Sequence, residues 1–343
     1  MRGYRTVAWA AACAIFGGLA ACGGSSHPVS GATHAPAARH PADAQLTTAQ
    51  ARSIFAAFLP RFSQLRTDPA LTAALTTGPE TTSETFLKGS GGFALGALTG
   101  QRFLVPELTS YPRWFLAGGS ATDKQGFLFV MVQRSVGAPW REAAEMYDVS
   151  LPPQILPDLK SAGFAPSGYA DTLPSADPAL NVDPSGLSAA YARYLNDGGH
   201  GAGEPNFATG SSTTGYLHQD QQTAASARAL GWHFSDDHQA STLPAYSLQL
   251  PDSAGALIVF YTNETLSWTA RSSSARVPRS ATEYPNLPPL QFFNELGIKT
   301  ARPGLRVTAS SVNECLAFVG PAGTENDVVI VNNGKGTGIS KSG

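Results

Sequence analysis

Between positions 200 and 238 the chain sets His200, His218, His233 and His238 among Asp220, Asp236 and Asp237. Imidazole nitrogens and carboxylate oxygens are the donors that divalent ions such as zinc take, so the residue types suit a metal site. The spacing argues against one. No pair of these histidines has the i, i+4 or one-apart separation that fixes two ligands on one face, and Asp236-Asp237 reads as a turn. The expectation is a solvated polar loop, with no metal and no cofactor.

Other active-site wording is scarce. No serine has glycine at both −2 and +2, and there is no Ser-x-x-Lys, His-Glu-x-x-His, Cys-x-x-Cys or Walker loop. His200-Gly201-Ala202-Gly203 resembles the backbone oxyanion turn of esterases but has no matching nucleophile motif, and glycines surround it, so it reads as a flexible loop. Gly334-Lys335-Gly336-Thr337-Gly338 is similar to a phosphate loop, yet no helix follows and the expectation is a flexible tail. Cys315 lies in a strand-like run with no His or Lys beside it, which predicts a buried, inert thiol. No catalytic residue is assigned, and the balance leans away from an enzyme.

The chemistry that does stand out is at the amino terminus. Arg2 and Arg5 precede an uncharged run from Thr6 to Ala21, and the apolar stretch Val7 to Leu19 is shorter than the roughly 20 residues a spanning helix needs. A basic start, a short apolar centre and a small-residue end make residues 1–21 an export signal. It ends in Leu19-Ala20-Ala21-Cys22-Gly23, which resembles the lipobox of bacterial lipoproteins. That resemblance implies a diacylglyceryl thioether on Cys22, cleavage before Cys22 and often acylation of the freed amine (a palmitate-type anchor). Two acyl chains bind a membrane stably where one does not. Cys13 leaves with the signal and Cys22 carries lipid, so Cys315 has no disulfide partner.

Composition bounds the rest. Across 343 residues, 14% are charged and 42% hydrophobic, enough apolar material to bury real cores. The formal net charge of −2 excludes a sequence-wide basic field, and with it general nucleic-acid binding. Loss of Arg2 and Arg5 makes the exported chain more acidic still. Residues 22–44, rich in Gly, Ser, Pro and Ala with His27, His34 and His40, cannot bury enough to order themselves and read as a tether.

The elements that would position any site follow from residue 45. Thr47 or Thr48 caps a helix whose apolar face holds Ile54, Phe55, Phe58, Leu59, Phe62 and Leu65, with Pro60 expected to kink or divide it. Asp68-Pro69 starts a second helical turn. After the glycine-rich stretch Gly89 to Gly100 the pattern turns to strands: Arg113 to Ala117, Gly126 to Arg134, and Trp140 to Val149. The second half repeats the order. Asp183-Pro184 opens a helix through Leu187, Tyr191, Tyr194 and Leu195, Gln219 to Leu230 forms another, and strands follow at Tyr246 to Leu250 and Ala256 to Thr262. Tyr111-Pro112-Arg113-Trp114-Phe115-Leu116 matches Leu243-Pro244-Ala245-Tyr246-Ser247-Leu248 in form, as Gly126-Phe127-Leu128-Phe129-Val130 matches Gly255-Ala256-Leu257-Ile258-Val259. The expected organisation is an α+β chain of two tandem, diverged units, 45–164 and 184–331, joined by a linker at 165–183, with a tail at 332–343.

A helix across a curved antiparallel sheet is similar to the cystatin-like or nuclear-transport-factor-like cone. With the lipobox and tether, the motifs Thr47 to Leu65, Tyr111 to Arg134 and Leu243 to Tyr261 resemble a family of actinobacterial lipoproteins carrying a domain of unknown function. The resemblance implies location and architecture, and brings no activity. The sequence therefore predicts a lipoprotein anchored through Cys22 on the extracytoplasmic face of the cell membrane. Its role would be to bind a small-molecule or protein partner of the envelope. The aromatics Trp114, Phe115, Phe127, Phe129, Trp140 and Tyr147 of the first sheet, and Tyr246, Phe260, Tyr261 and Trp268 of the second, either fill cores or line a concave pocket. An envelope hydrolase around His200 to His238 and a solute-binding lipoprotein of an uptake system are the alternatives.

Overall fold

The structure is a computed structural model and describes residues 45–65, 67–86, 98–120, 126–147, 170–200, 205–250, 255–277, 293, 296–323 and 328–342. Cys22, the tether with its histidines, and the end of the expected first unit lie outside these residues.

Helix α1, Thr48–Phe62, starts as the sequence requires: the Thr47 side chain accepts from the Gln50 N–H while Gln50 reaches back to the Thr47 backbone. Pro60 does not divide it, because it lies in the last turn and the helix ends two residues later. Asp68 caps α2, Pro69–Leu75, through the Ala70 N–H, and α3, Pro79–Phe86, follows. Four antiparallel strands come next in chain order: β1 Thr99–Leu104, β2 Arg113–Ser120, β3 Gly126–Gln133 and β4 Arg141–Tyr147. The expected strands are present, and β1 emerges from the glycine-rich stretch where none was expected.

In the second half, α4 covers Leu187–Asn196 and α5 covers Thr214–Ala229. Asp183-Pro184 forms a turn before α4 rather than its first residues. The second sheet contains β5 Trp232–Ala240, β6 Tyr246–Gln249, β7 Ala256–Ala270, β8 Arg306–Val319 and β9 Val329–Ser342, all antiparallel in the order β5-β7-β8-β9 with β6 also paired to β7. Strand β7 runs eight residues past the expected end at Thr262, and β5 replaces the expected polar loop. Where a tail was expected the chain forms a strand: β9 pairs with β8 from Val329 to Ser342, and the phosphate-loop look-alike at 334–338 lies inside it.

Strand alternation then builds four layers. On β2, Phe115 and Ala117 face α1 while Trp114 and Leu116 face the other way, and β3 divides Phe127, Phe129 and Met131 from Val130 and Val132 in the same manner. The α1 side is an aromatic core in which Phe129 lies 5.3 Å from Phe55, 6.1 Å from Phe58 and 5.6 Å from Phe62. The opposite side meets the second sheet: Trp114, Leu116, Val130, Val132 and Met146 share one core with Tyr246, Leu248, Val259, Tyr261, Leu316 and Phe318. Trp114 and Tyr246 touch edge-on across it, ring centroids 5.3 Å apart. The outer face of the second sheet packs α4 through Tyr191, Tyr194 and Leu195 on Ile258, Phe260 and Cys315. The layer order is helix, sheet, sheet, helix.

This α+β arrangement corrects two expectations. The sheet faces that a helix-wrapped cone would leave concave are pressed together, and Trp114, Phe115, Phe127, Phe129, Tyr246, Phe260, Tyr261 and Trp268 fill cores. The halves also differ in strand order: β1 pairs outside β2 in the first sheet, whereas β5 and β6 share one edge of β7 and β9 has no counterpart. The described part of the linker is stitched into the body, with Ala170 N–H bonded to Val105 O at 2.8 Å and Gln249 N–H to Asp171 O at 2.8 Å.

Candidate functional site

Helix α5 and strand β5 are joined by a tight turn at Gly231, whose φ is 83°, where a Cβ would come within 3.1 Å of Ala275 Cα. The chain therefore doubles back, and simple dimensions say what meets. Asp220 and Tyr216 stand about 16–22 Å before the turn along a helix rising about 1.5 Å per residue. Asp236 and His238 stand about 17–23 Å after it along a strand rising about 3.3 Å per residue. Asp220 thus falls over Asp236, and Tyr216 over His238. The Tyr216 and His238 rings meet edge-on, centroids 5.4 Å apart.

On β5 the side chains of Trp232, Phe234, Asp236 and His238 share the face under α5, while His233, Ser235, Asp237 and Gln239 are exposed on the other. Strand pairing sets His238 opposite Glu264 on β7, and Glu264 opposite Ser311 on β8. This polar row lies between two apolar clusters on the same sheet face, one around Tyr191 and Phe260, the other around Trp232, Trp268 and Phe293.

The contacts are dense. His238 Nε2 lies 3.0 Å from Asp236 Oδ2. Tyr216 donates towards Asp236 Oδ2 at 2.8 Å and also contacts Glu264 Oε1. Ser311 donates to Glu264 Oε2. Asn196, at the end of α4, clamps the His238 backbone, its Oδ1 accepting from His238 N–H at 2.9 Å and its Nδ2 donating to His238 O at 2.7 Å. One tyrosine proton thus faces two carboxylates and is given to one of them at a time.

Electrostatics follow from this crowding. Burial pushes the Asp220 carboxyl up to about 7, and the neighbouring Asp236 carboxylate adds to the push. Burial works against a charged His238, but the Asp236 hydrogen bond and the charges of Asp236, Glu264 and Asp220 outweigh it and raise its pKa. Tyr216 is driven far above the ordinary tyrosine value, first by burial and then by Glu264 and Asp236, and stays a neutral donor.

Of the residues singled out by sequence, the structure brings together Asp220, Asp236 and His238. It leaves out His218, exposed and bonded to Gln222, His233 and Asp237 on the far face of β5, and the exposed His200. Residues 201–204 of the glycine turn lie outside the described residues. Glu264, Tyr216 and Ser311 were missed. The overlooked signal was the one-apart pair Asp236 and His238, continuing the alternation that starts at Trp232 and Phe234. Cys315 is fully buried and burial pushes its thiol well up, as an inert core cysteine requires.

A second acidic group lies at the other sheet, where Glu80 of α3 and Glu142 and Glu145 of β4 bring carboxylate oxygens within 4.8 Å of one another. All three residues are buried and engaged in further interactions.

Comparison with known proteins now places the chain. Residues 93–286, more than half its length, match the model of the domain of unknown function DUF8094. The chain belongs to this family. An uncharacterised lipoprotein of Streptomyces avermitilis is 33% identical over 175 residues, covering 50% of this chain and 49% of the relative. An uncharacterised lipoprotein of Streptomyces coelicolor is 25% identical over 184 residues, covering 53% and 52% respectively. The chain therefore spans about half the length of the curated relatives it matches. No solved structure matches. These relatives agree with an uncharacterised actinobacterial lipoprotein family. Among the described residues, no helix is long and apolar enough to cross a membrane.

Proposed function

We propose that this DUF8094 chain is a lipid-anchored, extracytoplasmic binding protein. The Cys22 sulfur carries a diacylglyceryl group, residues 23–44 tether the body to the outer face of the membrane, and the body holds a ligand or partner without turning it over. The observation that carries the reading is Leu19-Ala20-Ala21-Cys22, supported by relatives that are themselves called lipoproteins. Binding is favoured over catalysis by the make-up of the α5–β5 site. Tyr216 is held neutral, and among the described residues no hydroxyl or thiol bonds His238 Nδ1.

The His238–Asp236 pair is the base-and-orienter half of a hydrolytic site, which keeps an envelope hydrolase as the second reading. A two-lobed uptake binding protein finds less support, because both sheets are antiparallel instead of alternating βαβ.

Membrane fractionation of the native host, with intact mass measurement of the amino-terminal peptide, tests the anchor. The chain is expected in the membrane fraction with a diacylglyceryl adduct on Cys22, and Cys22→Ala is expected to move it to the soluble fraction. A bare sulfur on a cytosolic product would overturn the reading.

A further inference from the structure

We infer that Asp236, His238 and Glu264 hold a divalent transition ion of the zinc class beneath Tyr216 and Asp220 of α5. This names the ligand class for the binding site proposed above, and rests on that reading for its biological setting alone.

Three independent observations carry it. First, one ligand atom from each of the three residues lies within 4.8 Å of the others. Ligands about 2.0–2.2 Å from one zinc ion stand about 3–3.5 Å apart, so small side-chain rotations gather all three. His238 Nε2 and Asp236 Oδ2, at 3.0 Å, are already at that separation.

Second, the site contains buried polar atoms with nothing to meet. His238 is 4% exposed, and the side chains of His238 and Asp236 are 2% and 3% exposed. Yet His238 Nδ1 and Asp236 Oδ1 have no hydrogen-bond partner among the described residues. Whichever tautomer the ring adopts with Nε2 bonded to Asp236, Nδ1 presents either a lone pair or an N–H to a place without a counterpart. An ion held at Nε2 and Asp236 Oδ2 leaves Nδ1 as it is, but it gives Asp236 Oδ1 a partner when the carboxylate takes the ion through both oxygens.

Third, the charges do not balance. The charged groups that act most on His238 and Asp220 are Asp236, Glu264 and one another. The carboxyl groups of Asp236, Glu264 and Asp220 crowd one imidazole, and the hydroxyls of Tyr216 and Ser311 donate to Asp236 and Glu264. A divalent cation supplies positive charge among these carboxyl groups. The donor set selects the ion: imidazole with two carboxylates suits zinc or manganese, whereas calcium takes six to eight oxygens, more than the site offers.

The test uses the full chain in detergent micelles, stripped with chelator and titrated calorimetrically with zinc, and with manganese and calcium in parallel. One equivalent of zinc is expected, with a raised thermal midpoint and calcium at least tenfold weaker. Glu264→Gln and His238→Gln should each weaken zinc at least tenfold, while His233→Gln and Asp237→Asn, on the opposite face of β5, should leave it unchanged. Replacing His27, His34 and His40 together by glutamine should also leave it unchanged. Absence of heat and of a thermal shift with every ion would overturn the proposal, as would equal affinity in Glu264→Gln or loss of binding in the tether variant. Should a site variant fail to fold, cobalt in the unaltered chain decides: visible bands of a nitrogen–oxygen site without thiolate charge transfer are expected, and no bands overturn it. None of these readouts depends on the lipid, so zinc binding by a chain with bare Cys22 would uphold this site while removing the anchor.

Discussion

Glu314 on β8 and Glu145 on β4 meet across the two sheets, the Glu145 backbone N–H donating to Glu314 Oε2 at 2.8 Å. Both residues are fully buried. Beside them the Tyr261 hydroxyl donates to Ala143 O at 2.9 Å, and Thr77 N–H to Glu142 O at 2.8 Å. β4 is an edge strand, and these three bonds occupy backbone groups that a neighbouring strand would otherwise take. The bulge between Val130 and Met131 in the β3–β4 register lets Glu142 and Glu145 share one face while Ala143 and Ala144 face the second sheet.

Glu314→Ala should therefore lower the unfolding free energy by about 1–3 kcal/mol, the range for a buried donor left without its acceptor. Glu314→Gln keeps an oxygen for the Glu145 N–H and should cost less. Urea unfolding of the two variants checks the order, and an equal loss would remove the hydrogen bond as the cause.

Phe129 is the hub of the aromatic core under α1, fully buried against Phe55, Phe58 and Phe62. Phe129→Ala is expected to destabilise by about 3–5 kcal/mol, through lost transfer energy and the cavity left behind. Val136 is 57% exposed, and Val136→Ala should stay within about 0.5 kcal/mol. Denaturant midpoints measure both.

Burial pushes the Tyr246 hydroxyl up to about 12 from the ordinary value of 10. The folded chain thus favours the neutral phenol, and its contribution is intact below pH 10. Between about pH 10 and 12 the unfolded chain holds fewer protons than the folded one, so stability falls as pH rises. Two units correspond to about 2.7 kcal/mol. Burial also raises Tyr261, in the same direction. Unfolding free energies across this window should fall less steeply in Tyr246→Phe, which keeps the ring against Trp114.

Removing residues 334–343 should unfold part of the second sheet rather than trim a loose end. It strips β8 of its pairing from Arg306 to Asn313 and leaves that edge open. A thermal midpoint lowered by several degrees is expected. An unchanged midpoint would restore the flexible-tail reading.

Elements with strong local signals were legible beforehand: α1 from its capping threonine and phenylalanine spacing, α2 from Asp68-Pro69, and the β2–β3 and β6–β7 hairpins from apolar runs around turn residues. β5 was hidden because its inward face changes from aromatic to ionisable half-way, and an inward carboxylate looks like a solvated one in sequence. β9 was hidden because glycine, asparagine and lysine are poor strand formers, and only pairing along β8 makes them a strand.

By itself the sequence determined the features that need only neighbouring residues: helix starts, hairpins, an α+β content, and the amino-terminal cysteine motif with its short apolar leader. Tertiary structure alone decided that the sheets stack on one shared core, that Glu314 meets Glu145, and that Glu264 joins Asp236 and His238 beneath Tyr216. Strand register and sheet stacking are set by contacts between residues far apart in the chain, where no local pattern constrains which side chains come face to face.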